Sequence, residues 1–215
     1  TPDIIVSDVM MPRMNGYELC KNIKEDITIS HIPIILLTAR DDKQSQLSGY
    51  KNGADAYLTK PFEIEMLMEL IRNRLKNREY TKKRYLNAGL IPTPEESTIS
   101  LTDETFLIKL NSIIQENIEN SNLGIQFICQ EVGLGRSSLY NKLKALTGMG
   151  ANEYISKLRI EKAITLISGT DMPFSEIAEK TGFTTPSYFS TAFKQYTGET
   201  PSQYKERKKK GLAGK

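Results

Sequence analysis

Apolar positions in the first eighty residues follow two alternating rhythms. Short β-branched or apolar runs at Ile4–Val9, Ile32–Leu37 and Ala56–Thr59 read as strands. Between them, Gly16–Glu25 and Asp42–Asn52 carry the mixed spacing of helices, and Glu63–Arg78 follows with Ile64, Leu67, Met68 and Ile71 on one face. Strands alternating with helices imply a parallel sheet with crossover helices. Unbroken apolar strands suit a sheet covered on both faces.

That order is lost between Tyr80 and Thr102. Lys82-Lys83-Arg84 and then Pro92-Thr93-Pro94-Glu95-Glu96-Ser97 predict an exposed linker over 80–102. From Asp103 to about 210 the pattern is helical throughout. Leu107, Leu110, Ile114 and Ile118 open an amphipathic helix, with Thr102-Asp103-Glu104 as its N-terminal signal. The chain then repeats itself. Ile128-Cys129-Gln130-Glu131-Val132-Gly133-Leu134 matches Ile177-Ala178-Glu179-Lys180-Thr181-Gly182-Phe183 at an offset of 49, and Thr147-Gly148 matches Thr197-Gly198 at an offset of 50. Each copy reads as helix, glycine turn, helix, the glycine supplying the left-handed backbone of a tight turn. The second helix of each begins near a polar cap, Ser137 in one and Thr185 before Pro186 in the other. Leu139 and Leu143, like Phe189 and Phe193, should point inward, and Ala151–Ile167 reads as a helix joining the copies. Solenoids need more than two repeats, so two helix-turn-helix units are the better reading.

Composition narrows the function. The chain has 215 residues, 39% hydrophobic and 26% charged, a globular balance. No run approaches the ~20 apolar residues of a membrane span. Thr1-Pro2-Asp3-Ile4-Ile5-Val6 has neither an initiator Met nor a signal-peptide layout and predicts a chain cut from something longer, with the cytoplasm as compartment. Cys20 and Cys129 lie far apart without a CxxC, and His31 is the only histidine, which disfavours disulfides, zinc and histidine catalysis. Cys20 and Cys129 are expected in packing roles and His31 in a structural one. Residues 1–79 hold 11 Lys/Arg against 12 Asp/Glu, whereas 103–215 hold 15 against 12. The second half is mildly basic, which permits nucleic-acid binding without establishing it.

Three strand ends carry chemistry. Asp8, Thr38 and Lys60 place a carboxylate, a hydroxyl and an ammonium at one edge of the expected sheet, the edge where parallel folds keep their sites. The set suits phosphoryl transfer to a carboxylate: Asp8 as nucleophile, Lys60 on phosphate oxygens, Thr38 bonding the product. Lys60 precedes Pro61, and a cis peptide there would aim the ammonium. Asp8-Val9-Met10-Met11-Pro12 with Asn15-Gly16, Leu37-Thr38-Ala39 and Lys60-Pro61-Phe62 resembles the receiver domain of bacterial response regulators over residues 1–79. The resemblance implies a flavodoxin-like α/β fold, here N-terminally incomplete. It implies Asp8 as phosphoacceptor, Thr38 and Tyr57 as switch pair, and Lys60 as phosphate contact. Asp8 and the Met10 main-chain carbonyl would be Mg2+ ligands. The family's acidic pair, on a strand and helix that do not precede Asp8, is absent, so this chain is expected to bind Mg2+ and accept phosphate poorly and to show an open strand edge at Ile4–Val9.

The second half, from about Phe106 to Arg207, resembles the DNA-binding domain of AraC/XylS transcription regulators. Gly182-Phe183, Pro186-Ser187-Tyr188-Phe189, Phe193-Lys194, Thr197-Gly198, Pro201 and Tyr204 carry the likeness, and the family's proline near Ala151 is missing. The resemblance implies an all-α domain with a reading helix of each unit in a DNA major groove. With Leu139, Leu143, Phe189 and Phe193 inward, the opposite faces offer Arg136, Ser137, Tyr140 and Asn141, then Ser187, Tyr188, Ser190 and Thr191. Lys142, Lys144 and Lys194 are expected on phosphates. The expected whole is a transcription regulator of a two-component phosphorelay. Its partners would be double-stranded DNA, a histidine kinase, separate or upstream in the same chain, and a second copy on DNA. Receivers followed by AraC-type domains also resemble the C-terminal end of hybrid histidine kinases, whose parent can be membrane-anchored. This segment itself carries no kinase motifs. Two alternatives stand beside this reading. An aspartyl-phosphate phosphatase would place a second Asp where Met10 stands, and a protein-interaction module would lack salt-sensitive DNA binding.

Overall fold

A computed structural model describes residues 2–39, 53–88 and 100–212. They form two compact units: one runs to Ile108 and includes Ser137–Gly148, and the other comprises Lys109–Arg136 and the chain from Met149 onward.

In the first unit, β1 (Ile5–Asp8), β2 (Ile34–Thr38) and β3 (Ala56–Thr59) make a parallel sheet in the order β1-β2-β3. The middle strand is covered on both faces, with Ile34, Ile35 and Leu36 fully buried. The outer strands alternate instead, and the free side of β1 pairs with no described strand. Helix α1 (Gly16–Glu25) starts at a capping box: Asn15 accepts from the Glu18 N–H while the Glu18 carboxylate accepts from the Asn15 N–H. Its Cys20 and Ile23 close a core with Val9, Ile34 and Leu36. The helix expected at Asp42–Asn52 lies outside the described residues.

Helix α2 (Ile64–Ala88) is longer than its pattern suggested. Residues 80–88 continue the helix rather than loosening into a linker, because no Gly or Pro interrupts the chain before Gly89 and Lys and Arg are good helix formers. Its half-buried side is Leu67, Leu70, Ile71 and Leu75, whereas Ile64 and Met68 are exposed.

The remaining helices are α3 (Leu101–Glu116), α4 (Ile125–Val132), α5 (Arg136–Thr147), α6 (Ala151–Gly169), α7 (Phe174–Lys180), α8 (Pro186–Thr197) and α9 (Pro201–Leu212). Ser100 caps α3 through its side chain on the Asp103 N–H, so Thr102 and Asp103 fall in the first turn with their side chains free for other partners. Likewise α5 begins at Arg136, one residue before the expected Ser137 cap. In the second repeat Thr185 does cap α8, accepting from the Tyr188 N–H with Pro186 next.

The second unit's core joins Ile160, Ala163 and Ile167 of α6 to Ile177 and Ala178 of α7, Phe189 and Phe193 of α8, and Tyr204 of α9. Phe183, Phe189, Phe193 and Tyr204 pack edge to face or tilted in series, centroids 5.4 to 5.7 Å apart. Each fully buried ring contributes about 1.5–3 kcal/mol. Gly133 and Gly182 both turn the chain with positive φ, +79° and +72°. At Gly182 a Cβ would sit 2.2 Å from the Ile118 carbonyl oxygen, so glycine is required there by space as well as by backbone.

Candidate functional site

The parallel register brings the strand ends together. Asp8 closes β1 opposite Leu37, Thr38 closes β2 opposite Thr59, and Lys60 follows β3 with its N–H on the Thr38 carbonyl at 2.7 Å. The Lys60 ammonium is ion-paired with the Asp8 carboxylate, and the Lys60–Pro61 peptide is cis. That ammonium, with the Met10 N–H, holds the Asp8 carboxyl below its ordinary pKa. Asp8 is thus a half-buried, ionised carboxylate with a cation beside it, the state a nucleophile toward phosphorus needs. Thr38 is fully buried, and its hydroxyl has no hydrogen-bond partner among the described residues. Tyr57, one strand over and paired with Leu36, leans on the α1–β2 core.

One glycine in this site has a role that its motif alone did not reveal. A Cβ on Gly16 would lie 2.4 Å from the Asp8 carbonyl oxygen, so only glycine lets α1 begin directly against the end of β1. As for Mg2+, among the described residues the edge offers one carboxylate, Asp8, already paired with Lys60, and the Met10 carbonyl. No group of three His, Cys, Asp or Glu among the described residues could hold a metal ion. These residues do not by themselves make a cation site.

The faces expected to read DNA are mostly outward. Arg136, Ser137, Tyr140, Asn141 and Lys144 are exposed on α5, and Ser187, Tyr188, Thr191 and Lys194 on α8, with Ser190 half-buried. Tyr188 packs its edge on Phe183 at 5.7 Å, and Arg136 donates to the Gln126 side chain at 3.2 Å. The Tyr196 hydroxyl donates to the Glu153 carbonyl at 2.7 Å, tying α8 to α6, and burial pushes its pKa up to about 12. The Arg159 guanidinium lies over Phe183 and donates to the Asn120 carbonyl, and burial lowers its pKa.

Lys142 is the correction. It was expected on a phosphate, but it is fully buried, with its ammonium on Asp103 at 2.5 Å and on the Ser30 hydroxyl at 2.8 Å. In this arrangement it cannot touch DNA. The sequence held the warning: Leu139, Lys142, Leu143 and Leu146 stand at the i, i+3, i+4, i+7 spacing of one buried face. Cys20 and Cys129 are buried thiols outside any disulfide, and burial pushes Cys20 up to about 11, the inert state of a packing cysteine. His31 has its Nδ1 buried without a partner among the described residues, and burial with the nearby Lys142 charge pulls its pKa down to about 4.

The described residues thus combine a parallel sheet carrying an aspartate–lysine pair at its C-terminal edge with two repeat-related helix-turn-helix units. Comparisons agree: residues 1–72 match the response regulator receiver domain family, and residues 128–207 a helix-turn-helix domain family. The chain is 42% identical over 206 residues to Histidine kinase P4 of Formosa agariphila, covering 96% of this chain and 15% of that protein. It is 28% identical over 162 residues to the probable transcriptional regulator ycf29 of Pyropia yezoensis, covering 70% of this chain and 73% of that one. The C-terminal domain of the two-component response regulator yesN from Fusobacterium nucleatum is 32% identical, with 45% of this chain and 93% of that chain covered and a TM-score of 0.42. The chain spans only 15% and 16% of the length of two curated relatives, Histidine kinase P4 and the response regulator PleD of Caulobacter vibrioides. The chain therefore joins a response regulator receiver domain to an AraC-type helix-turn-helix domain. Among its described residues no helix is long and apolar enough to cross a membrane.

Proposed function

We propose that this chain is the receiver and DNA-binding end of a phosphorelay transcription regulator. Asp8 takes the phosphoryl group from a histidine kinase. The Asp8 oxygen attacks phosphorus, the bond to the donor's histidine nitrogen breaks, and Lys60 draws the negative phosphoryl oxygens toward it. Thr38 offers its unpartnered hydroxyl to the product, and Tyr57 follows it as the second member of the switch. A Mg2+ ion completed by ligands beyond these residues would be held here by the Asp8 carboxylate and the Met10 carbonyl, and would supply neutralisation of phosphoryl charge. The likeness to Histidine kinase P4 over 96% of the chain supports a parent that is a hybrid histidine kinase.

In the helical half, Arg136, Ser137, Tyr140 and Asn141 read one major-groove segment and Ser187, Tyr188, Ser190 and Thr191 the next, while Lys144 and Lys194 hold phosphates. Asn141 suits adenine and Arg136 guanine. Two copies on paired sites would raise the effective concentration of each. The observation carrying this reading is the outward polar face on both repeat-related helices, each backed by buried Leu or Phe pairs. The test is anisotropy of DNA fragments selected on the whole chain, titrated with salt. Neutralising about six phosphates should cost roughly a thousandfold in affinity between about 50 and 200 mM salt, with selected fragments preferred over scrambled ones. Binding without preference, or indifferent to salt, would refute DNA readout.

A further inference from the structure

The two reading helices are seated differently. Helix α8 is held inside the second unit, by the aromatic core and by Tyr196 on α6. The Ser137–Gly148 stretch, which holds all of α5 but Arg136, belongs instead to the unit that contains the sheet. Its buried side meets two segments far apart in sequence. The Lys142 ammonium reaches both Asp103 on α3 and the Ser30 hydroxyl, and lies 5.1 Å above the Phe106 ring. Ser30 donates in turn to Asp103 at 2.7 Å, and all three side chains are buried. One turn along α5, Ala145 and Leu146 line a small cavity with Lys24, His31 and Pro33 of the receiver. A second bond joins the same parts, from the Thr102 hydroxyl to the Lys24 carbonyl at 2.9 Å.

Ser30 itself is held to the sheet. The Lys24 ammonium donates to the Ser30 and Ile32 carbonyls at 3.2 and 3.0 Å and pairs with Asp55 at 2.9 Å. Asp55 in turn accepts from the Ile34 N–H that opens β2. A buried ammonium and carboxylate are costly unless their remaining hydrogen-bonding capacity is filled, and here the Ser30 hydroxyl fills both at once. Meanwhile Arg136, Ser137, Tyr140, Asn141 and Lys144 stay exposed. The receiver therefore touches α5 from behind its reading face.

We propose that Ser30 is a positioning residue for the first reading helix: the receiver, through the Ser30–Asp103–Lys142 cluster, braces α5 for DNA rather than covering it. The proposal rests on the DNA-reading function above for its effect on binding, but not for the brace itself. Ser30→Ala tests it in the whole chain, because the Asp103–Lys142 pair remains and only the receiver's share is removed. Amide hydrogen exchange over 139–147 should quicken about three- to tenfold, with 186–197 unchanged. Unchanged exchange in α5 would make the cluster an internal strut of the helical half and overturn the brace, whatever the DNA result. Equal quickening in both helices would mean general loosening and overturn it too. On DNA, the α5 half-site is first assigned as the one whose base preference Asn141→Ala erases. Ser30→Ala should then lose about three- to tenfold in affinity for that half-site alone. A loss shared equally with the α8 half-site, or none, counts against positioning. A wild-type chain that prefers no fragment sinks the DNA reading, while the exchange experiment still decides the brace.

Discussion

Lys142 and Lys144 stand two positions apart on α5 and end in opposite surroundings, one fully buried against Asp103, the other in solvent. Residue type alone suggested phosphate for both, whereas the helical phase separates them, since Lys142 shares the side of Leu139 and Leu143. Burial lowers the Lys142 pKa and the Asp103 carboxylate works against that shift, so the pair is held by mutual need. Removing one member strands the other. Asp103→Ala should lower unfolding stability by about 3–5 kcal/mol, while Asp103→Leu combined with Lys142→Met should recover most of the loss. Urea unfolding of the three chains reads this directly. A single variant as stable as wild type would show that the pair is not desolvated as described. Asp8, Thr38 and Lys60 were legible one by one because each stands at or just past the end of a strand, and parallel register delivers strand ends to a common edge.

The two turns of the helix-turn-helix repeats came from the glycine pattern, and the helix ends around them separate two roles for glycine. Gly198 closes α8 at φ +82° with nothing near its absent Cβ, whereas Gly182 at φ +72° faces the Ile118 carbonyl and the Arg159 guanidinium. Gly198→Ala should therefore cost only the left-handed backbone penalty, about 1–2 kcal/mol. Gly182→Ala should add a clash of about 1–3 kcal/mol and displace Arg159 from Asn120. Thermal unfolding of both variants checks the ranking, and equal losses would mean that α3 and α7 yield at that contact. Elements were less legible where punctuation misleads. The Lys82-Lys83-Arg84 run signalled a linker but continues α2, because charge by itself does not stop a helix. The caps at Ser137 and at Thr102–Glu104 each missed by a residue or two, since several polar residues in a row can all serve.

Across the molecule the titrating groups divide between the two units. In the first, His31 is pulled down to about 4 and Asp8 and Asp26 are lowered, Asp26 by the Thr28 side chain and backbone. A folded pKa below the unfolded one means the unfolded chain binds more protons as pH falls, so this unit loses stability from about pH 6.5 through 4 by His31, and further in acid by the aspartates. In the second unit burial raises Glu161, which works the other way: its contribution is lost as pH rises through the raised value and regained in acid. Hydrogen exchange followed from pH 7 to 4.5, corrected for intrinsic rates, should show β2 losing protection before α6 and α7. His31→Gln should flatten that loss above about pH 4.5. Loss of protection in step across both units would contradict this division.

From sequence alone came the parallel sheet, the shared edge of Asp8, Thr38 and Lys60, the two helix-turn-helix repeats and both family resemblances. All of these rest on local periodicity, glycine and proline punctuation, and motif spacing. What the tertiary structure decided is where the far-apart polar residues meet. Ser30, Asp103 and Lys142 are separated by 73 and 39 positions, and no periodic signal links them. Buried polar groups must find partners wherever the packed chain brings them, so their pairing is a property of the fold and not of any segment.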